Sequence, residues 1–530
     1  MFSAVYRWID RNLLELFREL RFSYLPPLMV YLAAGISGLT GIVGTFFVKE
    51  YLGLSAAFLA ALGFWAGIPW ALKMPIGHLV DLIWRWKGLL VYLGAALIAA
   101  SLLIMVFLIG EREAMIAIMP AEAWYVFSVL LAPVGYVIQD AVADAMTVEA
   151  VPARDEVGRP YAPEQRKLMH TTMQTLGRVA IIGGSVLVAL VNVYLFSGVQ
   201  GMSVADKARV YREVYLMALA IPGISVIGVA LHAWLQRRDS AAHGVREAER
   251  EITRPNWWLL GGSLAFVVFT LAVGFGKAAY KEEIVFAGSM AIVLFLIWRL
   301  TRELDAVARA TLLGTAVVIF VFRAMPGPGP GVTWWMIDDL GFDQQFLSVL
   351  SLIGSALTLA GMFLFRRFMA ERSIAYVVGF LTLAATLFAL PILGLYHGLH
   401  EWTAARTGGV VDARFIVLVD TALESPLGQI AMIPMLAWIA NSAPAHLKAT
   451  YFAVMASFTN LALSLSQLGT KYLNQVFVVQ REVREPVKNV VQIPADYSQL
   501  GELIVAQMLI ALALPFAAIL LSRLFHWRSA

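Results

Sequence analysis

The fifteen residues 135–149, GYVIQDAVADAMTVE, decide how the rest of the chain is read. They belong to an apolar run long enough to cross a bilayer, yet they place Asp140 and Asp144 one helical turn apart, with Gln139 beside them. An ionised carboxylate in lipid costs roughly 2.5 to 3.5 kcal/mol on insertion scales, and more by other measures, so each acid needs a partner, a proton or water. The search for those partners organises the reading of the chain.

Composition fixes the class. Of 530 residues, 60% are apolar and only 14% are charged, and the mean hydropathy of +0.74 lies far outside the soluble globular range. The chain therefore reads as an all-α polytopic membrane protein whose main partner is the lipid bilayer. A formal charge of +4 is small for this length and gives nucleic-acid binding no support. The absence of cysteine removes disulfides, thiolate metal sites, Cys nucleophiles and S-acylation. There is no His or Cys metal cluster, no G-x-S-x-G and no phosphate loop, so neither an enzyme, a cofactor nor a metal is expected. Residues 1–24 scatter Arg7, Arg11, Arg18 and Arg21 among Leu13, Leu14, Leu16 and Phe17, which is the pattern of an amphipathic basic helix on the cytoplasmic surface.

Runs of about 20 apolar residues, the length that spans the hydrocarbon core, recur throughout. Six are read at 25–49, 56–80, 88–109, 122–148, 170–196 and 213–235, so that residues 25–235 form a first bundle. A charged connector, 236–256, leads to two inserted spans at 257–276 and 284–300. Residues 301–530 then form a second bundle, with spans at 307–339, 344–365, 373–396, 411–441, 446–477 and 501–525. The expected total is about 14. Lys and Arg accumulate in alternate loops, 24 on one side against about 12 on the other, which places both termini in the cytoplasm. A bacterial inner membrane and a monomer are the corresponding expectations.

An internal echo supports the two bundles. Leu52-Gly53-Leu54-Ser55-Ala56-Ala57-Phe58-Leu59 recurs 288 residues later as Leu340-Gly341-Phe342-Asp343-Gln344-Gln345-Phe346-Leu347, at the same boundary between first and second helix. Two six-helix halves in parallel repeat are the plan of the major facilitator fold, with the solute site between them near mid-membrane. Between the second and third spans, residues 77–87 (GHLVDLIWRWK) resemble that superfamily's G-x-x-x-D-R-x-G-R-R signature without the Arg directly after Asp81. Asp81 and Arg85 are the gate candidates there; an ordinary positively charged loop is the other reading.

Depth arithmetic groups the membrane charges. At 1.5 Å per residue, Lys73, Asp140 and Arg178 each lie roughly 11 to 12 Å from the cytoplasmic boundary. Arg178 is then the expected counter-ion of Asp140, Lys73 a third charge at that level, and Asp144, a turn nearer the cytoplasm, a gate residue. Such a carboxylate can exchange its ion pair for a proton and so couple protons to solute; a permanent salt bridge that only packs helices is the alternative. In the second half Glu424 is the expected mid-membrane acid, with Asp420 facing outer water. Residues 326–331 (PGPGPG) cannot be regular helix, so they line a cavity, lie buried in protein or form an outer loop. Arg323 just before them is placed to attract an anion, and Trp70 to stack on a planar ring.

Residues 67–77 (GIPWALKMPIG) resemble the P-W-x-x-K-P-x-x-G stretch of the folate-biopterin transporter family, and residues 140–149 its D-x-x-x-D-x-x-V-E stretch. Residues 428–434 (GQIAMIP) and 450–455 (TYFAVM) resemble its helix 10 to 11 region, although Lys448 stands where an acid is expected. The resemblance implies a secondary transporter of a small organic anion such as a folate or pterin, coupled to a cation, most simply the proton in symport. Gln139-Asp140 with Pro152 is similar also to the muropeptide permeases, and related pigment-complex assembly proteins suggest a non-transporting assembly factor on the same fold.

Overall fold

The computed structural model describes residues 18, 20–52, 54–71, 73–152, 159, 161–243, 257–276, 278–302, 306–365, 368, 372–430, 448–484 and 491–525. The architecture is helical, with one small two-stranded antiparallel ribbon, Val483–Arg484 with Val491–Ile493, among the described residues. The helices are α1 (Phe22–Tyr51), α2 (Ala56–Leu82), α3 (Trp84–Gly110) and α4 (Ala121–Ala150), then α5 (Pro163–Leu195) and α6 (Ala205–Arg238). They are followed by α7 (Trp257–Phe275), α8 (Lys281–Thr301), α9 (Ala306–Arg323) and the short α10 (Gly331–Asp338). The remainder are α11 (Gln344–Leu364) and α12 (Ile374–Tyr396), α13 (Ala413–Glu424) and α14 (Lys448–Val476), and α15 (Leu500–Leu524).

Nine helices among the described residues are long and apolar enough to cross a membrane. The other expected spans take different forms. Residues 257–276 and 284–300 are the paired helices α7 and α8, and 307–339 divides into α9 and α10. The span read at 446–477 is α14, whose Ser464, Ser466, Gln467, Thr470, Lys471 and Asn474 lower its hydropathy. Of 411–441, α13 and a short 3-10 turn are described, while residues 431–447 lie outside the described part. Residues 1–17 of the amphipathic segment and 244–256 of the connector also lie outside it; the connector's first residues continue helically to His243.

Close packing is built on missing side chains. A Cβ on Gly94 of α3 would stand 2.7 Å from the Gly135 carbonyl of α4, and one on Gly35 of α1 only 2.1 Å from the Ile181 carbonyl of α5. These approaches let backbones touch where lipid offers no hydrophobic drive for association. Hydroxyls add interhelical glue: Ser101 on α3 and Ser128 on α4 donate to each other's carbonyls at 2.8 and 3.0 Å. Two seams join the segment before the connector to the segment after α8. In one α2 packs on α14, and in the other α5 packs on α11. The α7–α8 pair leans on the first seam, α8 against α14 and α7 against the end of α2.

Candidate functional site

Helix α2 carries Pro69 and Pro75, one on either side of Lys73. Each proline removes a backbone donor, so the helix is weakened around the residue that matters. Lys73 lies against α4. Its Nζ stands 2.5 Å from Asp140 Oδ2 and 2.7 Å from Asp144 Oδ2. Tyr31 of α1 donates to Asp144 Oδ1 at 2.6 Å. The Lys73 and Asp140 side chains are 19% and 18% exposed, whereas that of Asp144 is 39% exposed. Arg178 acts electrostatically on both Asp140 and Tyr31.

This geometry corrects two expectations. The direct counter-ion of Asp140 is Lys73, and Arg178 acts at longer range. A flexible four-carbon stem carrying three donors spans two acids one turn apart, as Lys73 does here. For the same reason Asp144 is not set apart from the cluster: one ammonium holds both carboxylates. Asp81 and Arg85 lie beyond this level, Asp81 at the end of α2, where it is half-buried and acts on His78, and Arg85 in the first turn of α3, where it is exposed.

In the second half Asp420, expected to face outer water, is enclosed instead. Asp420 is buried at 7% exposure, with no hydrogen-bond partner for Oδ1 among the described residues, while Glu424 is exposed at the end of α13. Glu424 is the last residue of α13, where the helix gives way to the 3-10 turn Ser425–Leu427. Arg323 ends α9, and its charge and that of Arg178 on α5 act on each other. The Trp70 carbonyl accepts from Asn460 Nδ2 at 3.0 Å, tying α2 to α14 through backbone.

The Pro-Gly break between α9 and α10 is pinned by one face of α14. Ser466 donates to the Met325 carbonyl at 2.6 Å, Thr470 accepts from the Gly327 amide at 2.9 Å, and Asn474 donates to the Pro328 carbonyl at 3.2 Å. Gln507 of α15 donates to the Pro326 carbonyl at 3.2 Å. The spacing of four along α14 is one helical face, so the irregular backbone receives the partners that lipid would deny it. Beside it lies a cavity of about 610 Å³, bounded by α2, α9, α12, α14 and α15. Lys73, Asp140 and Asp144 are not among the residues that line it.

Three charge clusters escaped the sequence reading. Glu149 at the end of α4 accepts from Lys87 at 2.8 Å and lies 2.8 Å from His232 Nε2 of α6, with the Lys87 ammonium 4.0 Å from the centre of the Trp84 ring. At the opposite end of the helices Lys49 of α1 pairs with Asp338 of α10, which also accepts from Tyr497 at 2.5 Å. There Arg481 donates to the Leu54 carbonyl at 2.8 Å and lies 4.9 Å from the Trp334 ring centre; burial pulls its guanidinium down to about 10. Gln344 of α11 donates to Tyr211 of α6 at 2.7 Å, a further tie at this end. Finally, Glu282 on α8 accepts from Trp65 of α2 at 3.0 Å and from Lys471 of α14 at 3.2 Å. Lys49 and Asp338 stand at the ends of the runs 25–49 and 307–339, where a charge is ordinary.

Comparison with known proteins adds the following. Residues 34–527 match the BT1 family. A folate-biopterin transporter of Synechocystis sp. is 24% identical over 443 residues, covering 83% of this chain and 72% of that protein. Among solved structures, a POT family transporter with a bound thioalcohol-conjugated peptide has a TM-score of 0.61 at 11% identity, covering 94% of this chain and 96% of that one. The peptide transporter POT in complex with sulfate gives 0.58 at 16% identity, over 96% and 97%. The nucleoside transporter NupG gives 0.53 at 12% identity, over 94% and 99%. At these identities the likeness shows a shared transporter fold.

Proposed function

The chain belongs to the BT1 family and is an integral, multi-pass membrane protein, and from that premise we propose that it is a secondary active transporter of a small organic anion of the folate or pterin class. The working parts are two six-helix halves, residues 25–235 and 301–530, which rock about the α2–α14 and α5–α11 seams; α7 and α8 are an insertion between them. The observation that carries the reading is the single Lys73 ammonium clamped between Asp140 and Asp144 on the neighbouring helix.

The chemistry follows from charge balance. Two carboxylates share one ammonium, so protonation of either leaves a clamp that is still neutralised, and the cluster can load and release a proton without stranding a buried cation. Arg178 and Arg323 supply positive charge from opposite halves and attract the carboxylates of the solute. Solute binding between them screens their mutual repulsion and draws the halves together. The latch of Lys49, Asp338 and Tyr497 closes the outer end in this state and must open in the other. Both termini are then cytoplasmic, and Asp81 and Arg85 stand at the inner end as gate residues.

The test is uptake by protein reconstituted in proteoliposomes. An imposed inward proton gradient is expected to drive accumulation of labelled folate or biopterin above its equilibrium level. Uptake that ignores the gradient refutes the coupling, and no uptake of any pterin or folate refutes the solute class.

A further inference from the structure

The cavity beside the Pro-Gly break bears on which part of a solute goes where, given the reading of the chain as an anion transporter. Its volume of about 610 Å³ falls within the roughly 300 to 1,000 Å³ typical of small-molecule sites. None of the described residues lining it is charged. Phe322, Leu59 and Ala385 give it apolar walls. It is distinct from the Lys73 cluster: Ala60 lines it, and Lys73 lies 13 residues further along α2, roughly 20 Å at helical rise.

Most polar groups around the cavity are already engaged. Ser466, Thr470 and Gln507 are spent on the backbone of the break, which makes that wall rigid. Two groups remain. The Thr382 hydroxyl on α12 is buried, at 3% residue exposure, has no hydrogen-bond partner among the described residues, and meets the cavity that its residue lines by a turn about χ1. Gln467 on α14 is exposed toward this space, and no hydrogen bond joins its amide to the described residues. A buried hydroxyl without a partner is an unfavourable arrangement that a ligand can relieve. An ion brought into this uncharged space would lose its hydration without a counter-charge, whereas a lipid chain would leave the hydroxyl unmet.

We propose that this cavity is the compartment for the uncharged, hydrogen-bonding ring system of the solute, while Arg323, next to the lining residue Phe322, and Arg178 take its carboxylates. Thr382 and Gln467 read the ring's donor and acceptor edge. A ligand seated there touches α2 of one half and α9, α12, α14 and α15 of the other, so its presence is felt across the α2–α14 seam.

Calorimetric binding to the purified full-length protein tests the division with three probes: biopterin, which has the ring and no carboxylate; p-aminobenzoyl-glutamate, which has carboxylates and no pterin; and folate, which has both. Thr382→Val and Gln467→Leu are each expected to weaken biopterin and folate about tenfold, the effect of one lost hydrogen bond to a desolvated partner. Both variants should leave p-aminobenzoyl-glutamate within about twofold. Thr382→Val should not lower the thermal midpoint of the empty protein, because the hydroxyl it removes has no partner to lose, so a folding defect is recognisable. Equal losses for all three probes, or unchanged biopterin affinity in both variants, overturn the proposal while the transporter reading stands. Wild-type protein that binds none of the three overturns both.

Discussion

Replacing Lys73 by Met keeps the length of the side chain and removes the ammonium between Asp140 and Asp144. The cost is dominated by Asp140, 18% exposed and 2.5 Å from Lys73 Nζ. Stranding such a carboxylate costs about 3 to 5 kcal/mol. Asp144, at 39% exposure and still accepting from Tyr31, is discounted for solvent to about 0 to 1 kcal/mol. Asp140→Asn alone is milder, about 1 to 2 kcal/mol, because Lys73 keeps Asp144. Lys73→Met with Asp140→Asn removes the buried charge pair together, and such exchanges are often near neutral. The double variant should therefore be more stable than Lys73→Met alone, with a coupling energy of about 4 kcal/mol or more. Reversible unfolding in mixed detergent micelles measures all four corners of the cycle. Single-variant effects that add to within about 0.5 kcal/mol would refute the claim that Lys73 and Asp140 form one unit.

Two further outcomes follow from the packing. The chain has no cysteine, so Lys49→Cys with Asp338→Cys, which removes both charges of the latch at once, gives a clean pair for a short reducible cross-linker; bridging it should stop uptake and reduction should restore it, and full transport by the bridged protein contradicts the latch. Gly35→Ala should cost about 1 to 3 kcal/mol through overpacking, since its Cβ would stand 2.1 Å from the Ile181 carbonyl, whereas Gly38→Ala, with nothing within 4 Å, should be nearly neutral; equal effects on the thermal midpoint contradict the close approach of α1 and α5.

The nine long apolar helices and the meeting of Lys73 with Asp140 at one level were legible because both depend only on position along the chain. The pairing was not, because depth fixes height on a helix and leaves rotation about its axis open. Depth favours Arg178 as the partner of Asp140 as readily as it admits Lys73, and taking Arg178 as the counter-ion fails on the contact between α2 and α4, which pairs Asp140 with Lys73. Lys87 was counted as a loop charge obeying the positive-inside rule, which concealed its pairing with Glu149 beside His232. The Pro-Gly run was recognisable as non-helical, but its destination depended on Ser466, Thr470 and Asn474, whose common face has meaning only once α14 is known to lie beside the break. Tyr31 carried no signal, since a tyrosine in an apolar run is unremarkable until an acid is found opposite its hydroxyl.

The role proposed for the Lys73 cluster is tested most directly by Asp140→Asn protein in proteoliposomes, with gradient-driven accumulation and solute exchange measured on the same preparation. Loss of accumulation above equilibrium, with exchange of labelled for unlabelled solute retained, is the expected result, because the halves can still rock while Asp140 no longer carries a proton. Accumulation driven by the proton gradient as in the unaltered protein would contradict the account and leave the cluster a packing device.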